Sequence, residues 1–186
     1  MRTSETHPLF IAEVPMGLGA IGVTFAPGKH QALAMTGSWA RDLETDLRAI
    51  QVWGASVLVS LIEPFEFEEL SIMQLPARAA AHGLEWHGLP IIDRDAPDQS
   101  FLKVWQDLSP RLIRTINSGG RVVVHCKGGL GRAGTVACLL SLEGGALDTA
   151  EKAIKWVRRV RPGAVESDVQ KAFLASVERG LARSVE

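Results

Sequence analysis

The stretch that decides the fold is residues 121–140, RVVVHCKGGLGRAGTVACLL. It opens on a continuous apolar run of strand length, RVVVHC, as expected for a strand covered on both faces of a parallel sheet. A glycine-rich turn holding a single arginine, Arg132, follows His125 and Cys126. An apolar pattern of helical period then takes over. The order is buried strand, glycine loop, helix, with a cysteine at the end of the strand.

Residues 56–62 (SVLVSLI) repeat the buried-strand pattern, and residues 84–93 (LEWHGLPIID) read as a further strand. Residues 9–29 mix short apolar runs with Gly and Pro, which reads as two short strands in an irregular start, and residues 32–37 (ALAMTG) suggest another short strand. A helix is expected over residues 38–55, with Ser38 as N-cap, Leu43, Leu47 and Ile50 at helical spacing, and Gly54 at its close. Residues 66–70 and 74–83 look like short helices. Residues 98–120 form a longer helix that places Phe101, Val104, Trp105, Leu108, Leu112 and Ile116 on one face, with Pro110 inside as a kink or division. From Thr135 onward the pattern is helical throughout. Strands alternating with helices indicate an α/β fold, a central mostly parallel sheet flanked by helices with a helical C-terminal half.

Composition bounds the function. The chain has 186 residues, 46% hydrophobic and 22% charged, the balance of one globular domain. We read it as a single domain, residues 1–186, with irregular N-terminal strands over 1–36 and a catalytic core over 37–186. Twenty Lys and Arg against 21 Asp and Glu give no global attraction to nucleic acid or to an anionic membrane. No apolar run reaches transmembrane length, and the N-terminus lacks a signal-peptide core. Two cysteines do not make a disulfide framework and fit a reducing, cytoplasmic setting.

Three chemistries use glycine loops of this kind. Gly129, Gly131 and Gly134 spell the dinucleotide fingerprint, but no second strand ending in an acidic residue follows the helix. A nucleotide-triphosphate loop needs Lys before Ser or Thr, and here Gly134 directly precedes Thr135. The third chemistry uses every part. Lys127, Gly128, Gly129, Leu130 and Gly131 lie between Cys126 and Arg132, and a five-residue curl can aim its backbone N–H groups at one anion. Gly128, Gly129 and Gly131 would permit the left-handed or strained torsions of such a curl. The helix N-terminus adds positive potential, and Arg132 can grip two phosphate oxygens. The same field stabilises a thiolate at Cys126. Cys138, mid-helix among Ala and Leu, reads instead as a small core hydrophobe.

Residues 125–135, HCKGGLGRAGT, resemble the signature of the cysteine-dependent protein phosphatases, in particular the dual-specificity branch that includes kinase-associated and cell-cycle phosphatases. Residues 89–98, LPIIDRDAPD, are similar to that group's acid loop, and residues 161–170, RPGAVESDVQ, to the segment after its signature. The resemblance runs from about Gly37 to the C-terminus. It implies a phosphotyrosine-phosphatase-like fold and hydrolysis of phosphorylated protein residues through a cysteinyl-phosphate. Cys126 would be nucleophile, Arg132 would hold the phosphoryl group, and Asp93 would act as acid and then base, with Asp95 and Asp98 as the other candidates. Asp98 has the alternative role of capping the following helix. Asp93 is favoured because it ends the expected strand, where the scaffold can aim it. His125 would brace the loop. Lys127 would add charge at the rim or lie solvated. Gln170 matches a glutamine with which the family places water, and an exposed helical Gln is the other reading. The run Arg158, Arg159, Arg161 reads as a solvated helix face, or, if it lies near the mouth, as a patch that attracts phosphorylated substrate. No metal or other cofactor is expected, since loop and arginine supply the positive charge. The implied partner is a phosphorylated protein; no oligomeric state follows.

Two rival functions stay open at this stage: a module that captures phospho-residues without turnover, and a phosphatase of a non-protein phosphate such as a phosphoinositide. The single lysine in the loop disfavours the second. Ala133 bears on the first, because the family usually has Ser or Thr there, donating a hydrogen bond to the cysteine sulfur. Thr135 is expected to face elsewhere.

Overall fold

The computed structural model describes residues 1–34 and 37–183. Its centre is a five-stranded sheet of order β1-β2-β7-β5-β6, with β1 Ala12–Met16, β2 Gly19–Phe25, β5 Ala55–Ser60, β6 Glu85–Gly88 and β7 Arg121–Cys126. β1 pairs antiparallel to β2, and every other neighbour is parallel. β7 is the middle strand. Val122, Val123 and Val124 are fully buried, as a β-branched run between two parallel neighbours requires. A two-stranded ribbon, β3 His30–Gln31 with β4 Trp39–Ala40, lies outside this sheet.

Helix α1 (Leu43–Val52) packs on β5 and on α3 (Leu75–Ala81). Helices α4 (Gln99–Asn117) and α5 (Gly131–Glu143) pack on β2 and β7, and α6 (Ala150–Val160) packs on β1. Right-handed crossovers running in opposite directions along the sheet put these two groups on opposite faces. α5 also packs against α6 and α7 (Asp168–Arg183). Residues 131–142 are all buried, so α5 is apolar all round, as a central helix must be. β5 and β7 end side by side, bringing Ser60 next to His125 at the carboxyl edge of the sheet, where open α/β sheets bind ligands.

Several local expectations need correction. The N-terminal segment is a regular hairpin, and its second strand is an interior one, paired along its length with β7. Ser38 caps nothing. Asp42 caps α1, accepting from the Thr45 amide at 2.7 Å, because the buried Arg41–Asp46 ion pair fixes the chain just ahead of it. The strand expected over residues 32–37 falls partly on Met35 and Thr36, outside the described residues, and residues 32–34 are not strand. The strand expected over 84–93 stops at Gly88, and the chain goes on as an irregular segment held by the Leu89 and Ile91 amides. Val104 is 53% exposed and leaves the buried face of α4. Pro110 does not divide α4, which runs unbroken through it. Among the described residues no helix is long and apolar enough to cross a membrane.

Candidate active site

The sheet's middle strand delivers Cys126 to the carboxyl edge, 3% exposed. The chain then turns through residues 127–131 into α5. Gly129 carries φ +69°, and a Cβ there would lie 2.5 Å from the Thr24 backbone. Gly131 is required for a different reason: a Cβ would meet Glu166 Oε2 at 2.5 Å and Gln170 Nε2 at 2.9 Å. Gly128 has neither a left-handed φ nor a close neighbour, so the expectation that all three glycines serve torsion is corrected to Gly129 alone. The curl does aim inward: the Gly129 N–H donates to Cys126 Sγ at 3.2 Å.

Arg132 stands in the first turn of α5, its side chain 1% exposed. Nη1 and Nη2 form a two-pronged pair with Glu66, at 2.6 and 3.0 Å. Nη1 also donates to the Ile91 carbonyl at 3.1 Å, and Nη2 lies 3.1 Å from Asp93 Oδ1. Nε is buried without a partner. Burial opposes the charge on Arg132, but the Glu66 bonds, with the charges of Cys126, Glu66 and Asp93, outweigh it and hold the guanidinium above its usual range. Burial likewise opposes the Glu66 carboxylate, and Arg132, the Glu63 amide and Lys127 prevail, keeping it below the usual range. Glu66 was missed in the sequence. It lies in α2 (Pro64–Glu69), where it closes a capping box with Glu63, and the E-x-x-E spacing from 63 to 66 was the available signal for the cap but not for the arginine.

His125 is fully buried, and burial lowers it to about 4, so it is neutral. Trp86 Nε1 donates to Ser60 Oγ at 2.8 Å, and that hydroxyl lies 2.6 Å from His125 Nε2. The consistent network has Ser60 donating to Nε2 and Nδ1–H facing the Cys126 carbonyl at 3.5 Å. The histidine therefore ties β5 and β6 to the base of the loop.

The three candidate aspartates separate. The Asp93 side chain is 64% exposed and touches Arg132. Asp98 caps α4, accepting from the Phe101 amide at 2.8 Å. Asp95 turns its carboxylate to the Ala96 amide, and its carbonyl accepts from Gln170 Nε2 at 3.2 Å. What aims Asp93 is therefore not a strand end but Arg132 and the Ile91 carbonyl. Gln170 is fully buried, which overturns the exposed-helix alternative, and its Oε1 also accepts from the Glu166 and Ser167 amides. Lys127 pairs with Glu69 at 2.7 Å. The arginine run is not a plain solvated face: Arg158 binds the carbonyls of Ala164 and Val165, and Arg161 those of Gly128 and Gly129. Thr135 donates to the Gly131 carbonyl at 2.8 Å, away from the sulfur.

The family model described as "Swiss Army Knife protein, DSP-PTPase phosphatase domain" matches residues 42–174, well over half of the chain. The chain belongs to this phosphatase-domain family. The human dual specificity protein phosphatase CDC14C is 35% identical over 100 residues, covering 53% of this chain and 20% of that protein. The tyrosine-protein phosphatase cdc-14 of Caenorhabditis elegans is 50% identical over 50 residues, 26% of this chain and 7% of that one. The chain thus matches about a fifth or less of the length of these relatives. Among solved structures, kinase associated phosphatase with its catalytic cysteine substituted by serine superimposes with a TM-score of 0.80 at 22% identity, covering 94% of this chain and 97% of the other. The fold is accordingly that of dual-specificity phosphatase domains. The loop from Cys126 to Arg132 falls within the matched span, whereas β1, β2 and the β3–β4 ribbon precede it.

Proposed function

We propose that this domain hydrolyses phosphomonoesters on protein side chains, phosphotyrosine and/or phosphoserine and phosphothreonine, through a cysteinyl-phosphate. The observation that carries the proposal is Arg132: a buried guanidinium beside Cys126 whose Nε has no partner, next to a loop whose Gly129 amide already faces the sulfur. A phosphoryl oxygen would satisfy that N–H, and loop amides and arginine would neutralise the dianion.

In the first step the Cys126 thiolate attacks phosphorus in line, the P–O bond breaks, and Asp93 gives its proton to the leaving oxygen. Its exposure lets it reach a leaving group outside the bowl, and its contact with Arg132 keeps it within range of the phosphoryl group. In the second step a water attacks phosphorus, Asp93 takes its proton, and the P–S bond breaks to return thiolate and inorganic phosphate. His125, neutral and enclosed, holds the loop and transfers no proton in either step. Gln170, tied to the Asp95 carbonyl, would steady the acid loop against α7 and orient water there. All of residues 1–186 are proposed to act as one domain, since β2 is bonded along the strand that bears Cys126. A reducing cytoplasmic setting suits two free thiols, with phosphorylated protein as the partner rather than nucleic acid or membrane.

Ala133 favours a qualified version in which the second step is slow. It is buried and lacks the hydroxyl that would assist the departing sulfur, and Thr135 is committed to the Gly131 carbonyl. The test is hydrolysis of p-nitrophenyl phosphate with and without chelator, followed by phosphopeptides and a phosphoinositide. Chelator-insensitive turnover that prefers phosphopeptides is expected. Tight phosphopeptide binding without phosphate release would make it a capture module, and preference for the inositol lipid would overturn the protein substrate.

A further inference from the structure

Three consecutive carbonyls of the loop are held by cations from behind. Lys29 Nζ donates to Lys127 O at 3.3 Å, Arg161 Nη2 to Gly128 O at 2.9 Å, and Arg161 Nε to Gly129 O at 2.8 Å. In a trans peptide the C=O of one residue and the N–H of the next point in opposite directions. Fixing these carbonyls outward therefore turns the N–H groups of Gly128, Gly129 and Leu130 inward, and the Gly129 amide does meet Cys126 Sγ.

The two cations have different settings. Arg161 comes from the end of α6, within the family match. Lys29 comes from the turn after β2, outside that match, and is 5% exposed. It lies over the rings of Phe25 at 5.1 Å and Trp39 at 4.4 Å, and among the described residues no carboxylate pairs with it. A buried, unpaired ammonium is unfavourable in isolation, and cation–π contact offsets only part of that. Negative charge bound in the bowl would offset the rest.

We propose that Lys29 is a positioning residue of the phosphate site, whose ammonium braces the first peptide of the loop from behind and adds positive potential where a phosphoryl dianion sits. This rests on the phosphatase reading above. The charged groups that face Lys29 are Cys126 and Lys127 from the loop, Lys127 being paired with Glu69; Arg41 from the segment after β4, paired with Asp46; and Arg161 from the end of α6. Burial lowers Lys29 to about 8, with Cys126 opposing and the three cations reinforcing. The ammonium is thus present at neutral pH and lost as pH rises through that value, and a bound dianion would favour keeping it.

Tungstate, dianionic through the slightly alkaline range, tests this by calorimetry on Cys126→Ser, which lacks the cysteine sulfur. Affinity is expected to be steady near pH 7 and to fall about tenfold by pH 9.5, the scale of one lost charge contact near an anion. Adding Lys29→Arg, which stays charged, should abolish the fall; adding Lys29→Met should give the weak affinity at every pH. In the enzyme with Cys126 intact, Lys29→Met should raise KM for p-nitrophenyl phosphate more than it lowers kcat, with rescue by Lys29→Arg. If Lys29→Met fails to fold, the Lys29→Arg profile decides alone. A fall that persists in Lys29→Arg, or unchanged affinity in a folded Lys29→Met, overturns the role of Lys29 and leaves the phosphatase reading standing. No tungstate binding by Cys126→Ser itself overturns both.

Discussion

The chain's two cysteines, Cys126 and Cys138, are both buried and free, and each has an arginine in its electrostatic field. At Cys138 burial dominates and pushes the thiol up to about 12, against a small opposing effect of Arg158, whose guanidinium is already engaged by the carbonyls of Ala164 and Val165. At Cys126 the sulfur accepts from a loop amide and shares its surroundings with Arg132, which has a donor to spare. The difference is one of direction more than of depth. Cys138 sits where helix amides are consumed by the helix itself, and Cys126 sits where amides are turned toward it.

The largest effect should come from exchanging the two roles. Cys126→Ser is expected to abolish turnover while keeping affinity for phosphate, because the loop and Arg132 remain; Cys138→Ala should keep full kcat and cost about 1 kcal/mol of stability. Iodoacetate near neutral pH should label only Cys126, with phosphate protecting. Comparable labelling of Cys138 in the folded protein would erase the contrast.

Next is the acid proposed to serve Cys126, for which Cys138 has no counterpart. Asp93→Asn should slow alkyl and poorly activated aryl phosphates by about 10²–10⁴-fold, and substrates with good leaving groups much less. If Asp95→Asn shows that leaving-group dependence instead, the acid has been misassigned. Asp98→Asn should read out mainly as lost helix capping, about 1 kcal/mol in a melt.

The arginine beside Cys126 is set apart by its carboxylate. Glu66→Gln breaks a buried two-pronged pair and should lower stability by on the order of 3 kcal/mol, together with phosphate affinity. Unchanged melting and binding would mean that Asp93 and the Ile91 carbonyl suffice to hold Arg132.

His125 gives the comparison a pH axis. Its folded value of about 4 lies below the ordinary 6.5, so the unfolded chain takes up a proton first as pH falls. Stability is fully present above pH 6.5 and declines between 6.5 and 4, by on the order of 3 kcal/mol from this group. Urea melts of the protein and of His125→Asn across that window should differ in slope, and parallel slopes would assign the acid sensitivity elsewhere.

The smallest expected effect is a gain. Ala133→Ser would offer the sulfur a hydroxyl worth about 1.5–3 kcal/mol as a charge-assisted hydrogen bond, or about ten- to hundredfold in rate at most. Rapid quench should find phosphoenzyme accumulating in the unaltered protein and less of it in Ala133→Ser. No burst and no gain would mean that the departing sulfur is already served.

Part of this molecule follows from local chemistry alone. A β-branched run makes a buried strand, a glycine curl leads from it into a helix, and Cys126 and Arg132 stand at the two ends of five residues whose spacing is fixed by the chain. Asp98 as a helix cap was equally legible. Only the tertiary structure decided what reaches the loop from a distance. Glu66 meets Arg132 across 66 positions of sequence, Ser60 meets His125 across 65, and Lys29 meets Lys127 across 98. Nothing in the composition around a buried Glu or Lys says which charge it will face, because that follows from sheet order. It is β7, set between β2 and β5, that gathers the end of one strand and the turn after the other at the same edge. The length of the strand before Asp93 was misread for the same reason. Residues 89–93 are apolar enough for a strand, but past Gly88 the segment is held by the ends of its neighbours instead of by a full ladder, and that frees the aspartate to face Arg132.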